Sequence, residues 1–204
     1  MNLLHAGAPL ETARTAVILL HGRGSSARDI LSLGSELALP DVAFIAPEAS
    51  GGSWYPLRFL EPRIRNEPHL SQALETVRLA IQATQQTGLE QRNIALLGFS
   101  QGACLALETA YRTGGRFKAV FGLSGGLIGA DKELGSQTYP SLESTPVFLG
   151  CSDIDPHIPL GRVQRSAELL EMQGAKLDTR IYPNFGHGIN ADELEIVRSL
   201  LMTP

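Results

Sequence analysis

Short runs of consecutive apolar residues alternate along this chain with longer stretches in which apolar positions recur every three or four residues. The first pattern predicts strands buried on both faces, the second amphipathic helices. Strands are expected at 16–20 (Ala-Val-Ile-Leu-Leu), 41–46, 93–99, 117–123 and 146–150, with a more polar strand at 177–182 and a short edge strand at 3–6. Helical faces run through Ile30, Leu33 and Leu37, through Leu70, Ala73, Leu74, Val77 and Ile81, over 103–111, through Val163, Ser166, Ala167 and Leu170, and through Leu194, Val197 and Leu201. Ser26 and Asp29 have capping-box spacing at the start of the first helix, and Gly88 is placed to end the second. Two long stretches, 47–69 and 126–145, show no clean period and are read as structured loops. Strand and helix alternate from end to end without a repeat or break in composition, which predicts one α/β domain over 1–204. Its central sheet is expected to be mostly parallel, with helices on both faces and no large cap domain.

Ligands of such sheets bind beyond the C-terminal ends of the strands. Glycine-rich turns fall there at 21–24, 98–102 and 124–126. The middle one, Gly98-Phe99-Ser100-Gln101-Gly102, joins a buried strand to a helix with a serine at its apex. A serine in that position adopts a strained backbone, so the residues two before and two after it must be small. The turn exposes the hydroxyl and brings the Gln101 N–H close enough to stabilise an oxyanion.

A serine nucleophile needs a general base and a third group to fix the base's tautomer. Among five histidines, His5, His21 and His69 suit structural positions, and His157 stands only two residues from Asp155, too near to face it across a site. His187 follows the last strand, where chain order asks for the base. Asp153 and Asp155 both follow the penultimate strand, and Asp155 is preferred because Pro156-His157-Ile158-Pro159 would hold its carboxylate rigidly. A second oxyanion N–H is expected from Arg23. Its side chain suits either an anionic part of the substrate or a salt bridge to Asp29 or Glu48. Trp54, Tyr55 and Phe59 are candidate substrate-binding residues, although aromatics of a long loop also serve to anchor it.

Composition narrows the field. The chain has 204 residues, is 43% hydrophobic and has a net charge of −4, enough to bury a core without disulfide or metal but without a basic face for nucleic acid or an anionic bilayer. Cys104 and Cys151 suit reduced, buried thiols, and nothing in the sequence has the length of a membrane span. A cytoplasmic protein needing no cofactor or metal is expected. A homodimer is compatible with the sequence without being specified by it.

Taken together, His21-Gly22-Arg23-Gly24, the Ser100 turn, Leu123-Ser124-Gly125, Asp155-Pro156-His157-Ile158-Pro159 and Gly186-His187 resemble the phospholipase/carboxylesterase family of α/β-hydrolases. That family includes acyl-protein thioesterases and small bacterial carboxylesterases. The resemblance spans about residues 15–201 and implies an α/β-hydrolase fold, a Ser100, Asp155 and His187 triad, and oxyanion N–H groups from Arg23 and Gln101. It also implies that the Pro-to-Trp stretch ending near Trp54 lies beside the site. Ser25-Ser26 and Tyr55-Pro56 stand where family members often carry acidic residues, and Cys151 where they often carry histidine. The expected activity is cleavage of carboxylic esters of small or medium acyl chains. Thioester or lysophospholipid cleavage is the alternative with the same triad, and a non-catalytic ligand-binding scaffold would require a damaged triad or oxyanion turn.

Overall fold

The computed structural model describes residues 3–203. The apolar runs become a seven-stranded sheet of order β1-β3-β2-β4-β5-β6-β7 among the described residues. Its strands are β1 (Leu3–Gly7), β2 (Thr15–Leu20), β3 (Val42–Pro47), β4 (Ile94–Phe99), β5 (Ala119–Leu123), β6 (Pro146–Ser152) and β7 (Lys176–Tyr182). β1 runs antiparallel to β3 and every other pairing is parallel. The helices are α1 (Ala27–Leu37), α2 (His69–Gln85), α3 (Gln101–Thr113), α4 (Leu160–Met172) and α5 (Ala191–Met202). This is the mostly parallel α/β sheet that the alternating pattern predicts and the α/β-hydrolase architecture that the motif resemblance implies.

Successive residues of β2 serve opposite layers. Val17 and Leu19 pack with Ile30, Leu33 and Leu37 of α1 and Val197 and Leu201 of α5, whereas Ile18 and Leu20 pack with residues of α2, α3 and α4. All six residues of β2 are buried, which is why that strand shows no period-two alternation. Truncating one of these leucines to alanine would cost about 2–5 kcal/mol. β7 is the exposed parallel edge, and its alternating exposed and half-buried residues account for its more polar sequence.

Several boundaries move. β5 begins at Ala119 rather than 117, because the Phe117 N–H turns aside to donate to Thr145 Oγ1 (2.9 Å). β6 continues to Ser152, in register with Tyr182 of β7. The cap of α1 is one-sided: the Asp29 N–H donates to Ser26 Oγ (3.2 Å), but the Asp29 carboxylate takes the Ser25 hydroxyl. The reciprocal box is found instead at α5. There Asn190 Oδ1 accepts the Glu193 N–H (3.0 Å) and Glu193 Oε2 accepts the Asn190 N–H (2.8 Å).

From β2 the chain first builds β3 and then crosses back to β4 on the other side of β2. The crevice above the β2 and β4 ends is therefore the topological switch point, where ligands of open parallel sheets bind. The in-register pairs Leu20–Gly98, Phe99–Leu123 and Leu123–Gly150 bring the turns after β2, β4, β5 and β6 to that same edge. Among the described residues, no helix is long and apolar enough to cross a membrane.

Candidate active site

Ser100 sits between β4 and α3 with φ 56° and ψ −117°, a left-handed conformation that L-residues avoid without compensation. Two hydrogen bonds hold it: the Ser100 N–H donates to Leu123 O (3.0 Å), and the Ser100 carbonyl accepts the Cys104 N–H (3.1 Å). The flanking glycines are required by contact. A Cβ on Gly98 would lie 2.1 Å from Gly102 O, and one on Gly102 would lie 2.0 Å from Leu20 O. Helix α3 thus presses directly onto the ends of β2 and β4, and Ser100 is raised at the apex.

His187 reaches Ser100 from the loop after β7. Its Nε2 is 2.9 Å from Ser100 Oγ and its Nδ1 is 2.7 Å from Asp155 Oδ2. Because an ionised carboxylate only accepts, the hydrogen-bond network assigns the proton to Nδ1 and leaves Nε2 to accept from the serine hydroxyl. Asp155 Oδ1 accepts the N–H groups of His157 (2.8 Å) and Ile158 (3.0 Å). Burial of Asp155 raises its pKa, but the hydrogen bond from His187 and these two N–H groups outweigh it, and the carboxyl stays below its ordinary range.

Asp153, the other candidate acid, has a different task. Its Oδ1 accepts the Asn184 N–H (2.8 Å), and Ser152 Oγ accepts the Gly186 N–H (3.0 Å), so the end of β6 holds the loop that presents His187. Ser124 Oγ adds a long hydrogen bond to Gly188 O (3.4 Å).

His157 stands at the site, but its ring does not bond Asp155, two residues before it. The turn curls so that its backbone serves Asp155 while its ring packs edge-on against His187, with centroids 4.8 Å apart. Phe99 lies tilted against His187 at 5.0 Å. Both rings help to fix the imidazole.

Gly22, Arg23, Ser100 and Gln101 line one cleft of about 730 Å³, together with Tyr55, Leu57, Arg58, Phe59, His157 and His187. Among the described residues, the backbone N–H groups of Arg23 and Gln101 have no protein acceptor. The side chains of the same two residues fasten the cleft wall. The Arg23 guanidinium donates to Ser53 Oγ (2.9 Å), Pro56 O (2.9 Å) and Leu57 O (2.7 Å). It makes neither of the salt bridges that the sequence offered. Asp29 is held by Ser25 and Ser26, while Glu48 accepts the Ala27 N–H (3.0 Å) and faces His21 (3.4 Å). The Gln101 amide accepts the Trp54 N–H (3.0 Å) and donates to Tyr55 O (2.8 Å).

Of the three aromatic candidates, Tyr55 and Phe59 line the cleft and Trp54 does not. The Trp54 indole N–H donates to His21 O (2.8 Å) and its ring packs on the buried His21, so the tryptophan anchors the turn after β2 from behind. The 126–145 stretch also contributes no cleft residue and roofs nothing there.

Cys104 borders the cleft, but burial pushes its thiol up to about 12, which leaves no thiolate to compete with Ser100. Cys151 Sγ lies 3.8 Å from Asp155 Oδ2, and burial together with that carboxylate also pushes its thiol up to about 12. Both thiols are free and buried, as packing residues would be. A larger hollow, about 1060 Å³, opens at the N-terminal ends of β5 to β7 and shares no residue with the cleft.

Known proteins show the same arrangement of chain. A phospholipase/carboxylesterase from Dyadobacter fermentans superposes with a TM-score of 0.94 at 37% identity, covering 98% of this chain and 96% of that one. The Bacillus cereus carboxylesterase, at 19% identity, shares the fold with a TM-score of 0.79 over 98% and 93% of the two chains. Acyl-protein thioesterase 1 of Saccharomyces cerevisiae is 25% identical over 98% of this chain and 97% of its own length. The model of the phospholipase/carboxylesterase family matches residues 5–203, and the chain accordingly belongs to that family.

Proposed function

We propose that this chain is a serine carboxylesterase that hydrolyses esters of small or medium acyl chains through an acyl-enzyme. The observation behind this reading is the continuous hydrogen-bonded line from Ser100 Oγ to His187 Nε2 (2.9 Å) and from His187 Nδ1 to Asp155 (2.7 Å), on a strained turn beside two unused N–H donors. In this scheme His187 takes the serine proton as Oγ attacks the ester carbonyl carbon. The charge that develops on the carbonyl oxygen is held by the N–H groups of Arg23 and Gln101. Asp155, kept ionised by its three donors, stabilises the imidazolium. His187 then passes its proton to the leaving alcohol oxygen as the C–O bond breaks. Water, deprotonated by His187, attacks the acyl carbon, and the acid departs from a regenerated Ser100.

Treatment with a fluorophosphonate tests the machinery. Intact mass is expected to show a single adduct on the wild type and none on Ser100→Ala. A folded wild type that takes no adduct would sink the hydrolase reading in favour of a binding scaffold.

A second reading keeps the triad and changes the leaving group to a thiol. It draws on the acyl-protein thioesterases of about 25% identity among the relatives. A matched oxoester and thioester of the same acyl chain separates the two readings by their kcat/KM values.

A further inference from the structure

Charge in the cleft runs against that of the molecule. The whole chain carries −4, yet the charged residues that line the cleft are Arg23, Arg58 and Glu61. Glu61 is already neutralised by Arg65, whose Nη1 lies 2.5 Å from its Oε2. Arg23 spends its guanidinium on a hydroxyl and two carbonyl oxygens, which accept hydrogen bonds without cancelling charge. Arg58 makes one hydrogen bond, from Nη2 to His157 O (3.2 Å). Among the described residues, neither arginine has a carboxylate within 4.0 Å, whereas most of the protein's arginines pair with acids, as Arg78 does with Glu75 and Arg198 with Glu195, and Arg14, Arg28 and Arg116, which also lack such a partner, do not line the cleft.

We propose that the cleft selects esters carrying an anionic group, a carboxylate or phosphate, recognised by Arg58 in the field that Arg23 reinforces. This rests on the esterase reading and supplies its substrate class. A guanidinium offers five donors in a planar fork, and Arg58 has committed only one of them. Its bond to His157 O braces it against the turn that holds Asp155, so the cation is stationed beside the chemistry. Against the one carboxylate of the triad, Asp155, held on the Nδ1 side of His187, two unpaired cations leave the concave site positive and raise the local concentration of an anion, an advantage that a neutral ester does not receive. The remaining wall, with Tyr55, Leu57, Phe59 and Ile158, is apolar and accommodates the hydrocarbon part. The substrate is therefore amphipathic, with a short hydrocarbon chain on one side and an anionic head within reach of Arg58.

Two matched pairs test this and distinguish the sources of the charge. The mono-4-nitrophenyl ester of adipic acid is compared with 4-nitrophenyl hexanoate, which has the same six-carbon acyl chain without the terminal carboxylate. Hexanoyl glycerol 3-phosphate is compared with hexanoyl glycerol, which places the anion on the alcohol side. In at least one pair the anionic member is expected to have the higher kcat/KM by about tenfold, the scale of one charge-assisted hydrogen bond. That advantage should shrink as salt is raised. Arg58→Gln should bring the ratio of the preferred pair toward one, and Arg58→Lys should restore part of it. The exposed position of Arg58 leaves folding out of the comparison, and a thermal midpoint equal to the wild type's verifies that. Equal rates within both pairs on an enzyme that takes the fluorophosphonate, or a preference that survives Arg58→Gln, would overturn the selectivity alone. No hydrolysis of any of the four together with no adduct would overturn the esterase reading and the selectivity with it.

Discussion

The two long excursions, 47–69 and 126–145, look alike in sequence and do different things. Residues of the first, from Tyr55 to Glu61, form much of the cleft wall, and they are tied to Arg23 and Gln101. The second is fastened to the scaffold behind. Arg162 of α4 donates to Leu127 O (3.0 Å) and Gly129 O (2.7 Å), and Glu108 of α3 accepts the Ile128 N–H (3.0 Å). The excursions meet where Gly129 N–H donates to Phe59 O (2.8 Å) and Glu133 accepts the Arg63 N–H (3.0 Å). A long aperiodic segment is thus a wall or a buttress according to the groups that capture its backbone, not according to its composition.

A lesion confined to chemistry sets the scale for testing that contrast. On the proposed roles, Asp155→Asn should lower kcat by about 10⁴-fold while the fold persists, because the His187 tautomer is no longer fixed. Circular dichroism alongside steady-state kinetics checks both halves.

The buttress is expected to fail differently. Glu108 is fully buried between Arg112 (2.7 Å) and Arg63 (3.6 Å), so Glu108→Ala leaves buried donors unpaired and should cost about 3–5 kcal/mol of stability. Urea unfolding measures that loss. Its kcat/KM per folded molecule should hold, and a parallel drop would mean that the second excursion reaches the cleft through Phe59 and that the distinction is false.

Gln101→Ala keeps the backbone N–H and removes the ties to Trp54 and Tyr55, so a mixed defect is expected. Stability should fall by about 1–3 kcal/mol for the unpaired backbone groups, and kcat/KM by about tenfold as the wall loosens. Full activity in this variant would separate the first excursion from the work of the Ser100 turn.

The last effect concerns pH. Burial raises Glu193 from its ordinary 4.5 to about 7, with the Asn190 N–H opposing and Asp192 assisting. Between those values the folded chain holds a proton that the unfolded chain has released, so this group's contribution to stability declines as pH rises through that window and levels off above it. The urea midpoint of the wild type should therefore fall from pH 5 to pH 8 relative to that of Glu193→Gln. Matching profiles would remove Glu193 from the account. Asp155 acts outside this window: its pKa is depressed, so its contribution is full above 3.8 and is lost as pH falls through its lower folded value.

The sheet and helices were readable because burial on two faces and burial on one leave different periods in the chain. Ser100, Asp155 and His187, which the structure brings into one hydrogen-bonded line, were readable because they stand at strand ends in a fixed order. Side chains that work backwards into the scaffold left no such mark. Trp54 stays open in the sequence between lining the pocket and anchoring the loop, because an aromatic beside a site suits either role, and only its bond to His21 O decides between them. That His157 stands too near Asp155 to face it could be read from the sequence, but its packing against His187 could not, since that depends on how the turn curls. Nothing local in the sequence gives the salt-bridge partner that Arg23 lacks, since that depends on Asp29 and Glu48 being occupied elsewhere. Arg58 falls in the same aperiodic loop as the aromatics and carries no periodic or motif signal.

The double duty of Arg23 and Gln101 has a bearing on how such an enzyme changes preference, in nature or by design. On the proposed roles, the loop that walls the cleft is hung from the side chains of the very residues whose main chain would face the reacting oxygen. A replacement loop of different length would drag on both anchors, so new selectivity and a weakened catalyst would tend to arrive together. Grafts that carry residues 23 and 101 with the 53–57 segment as one cassette avoid that coupling.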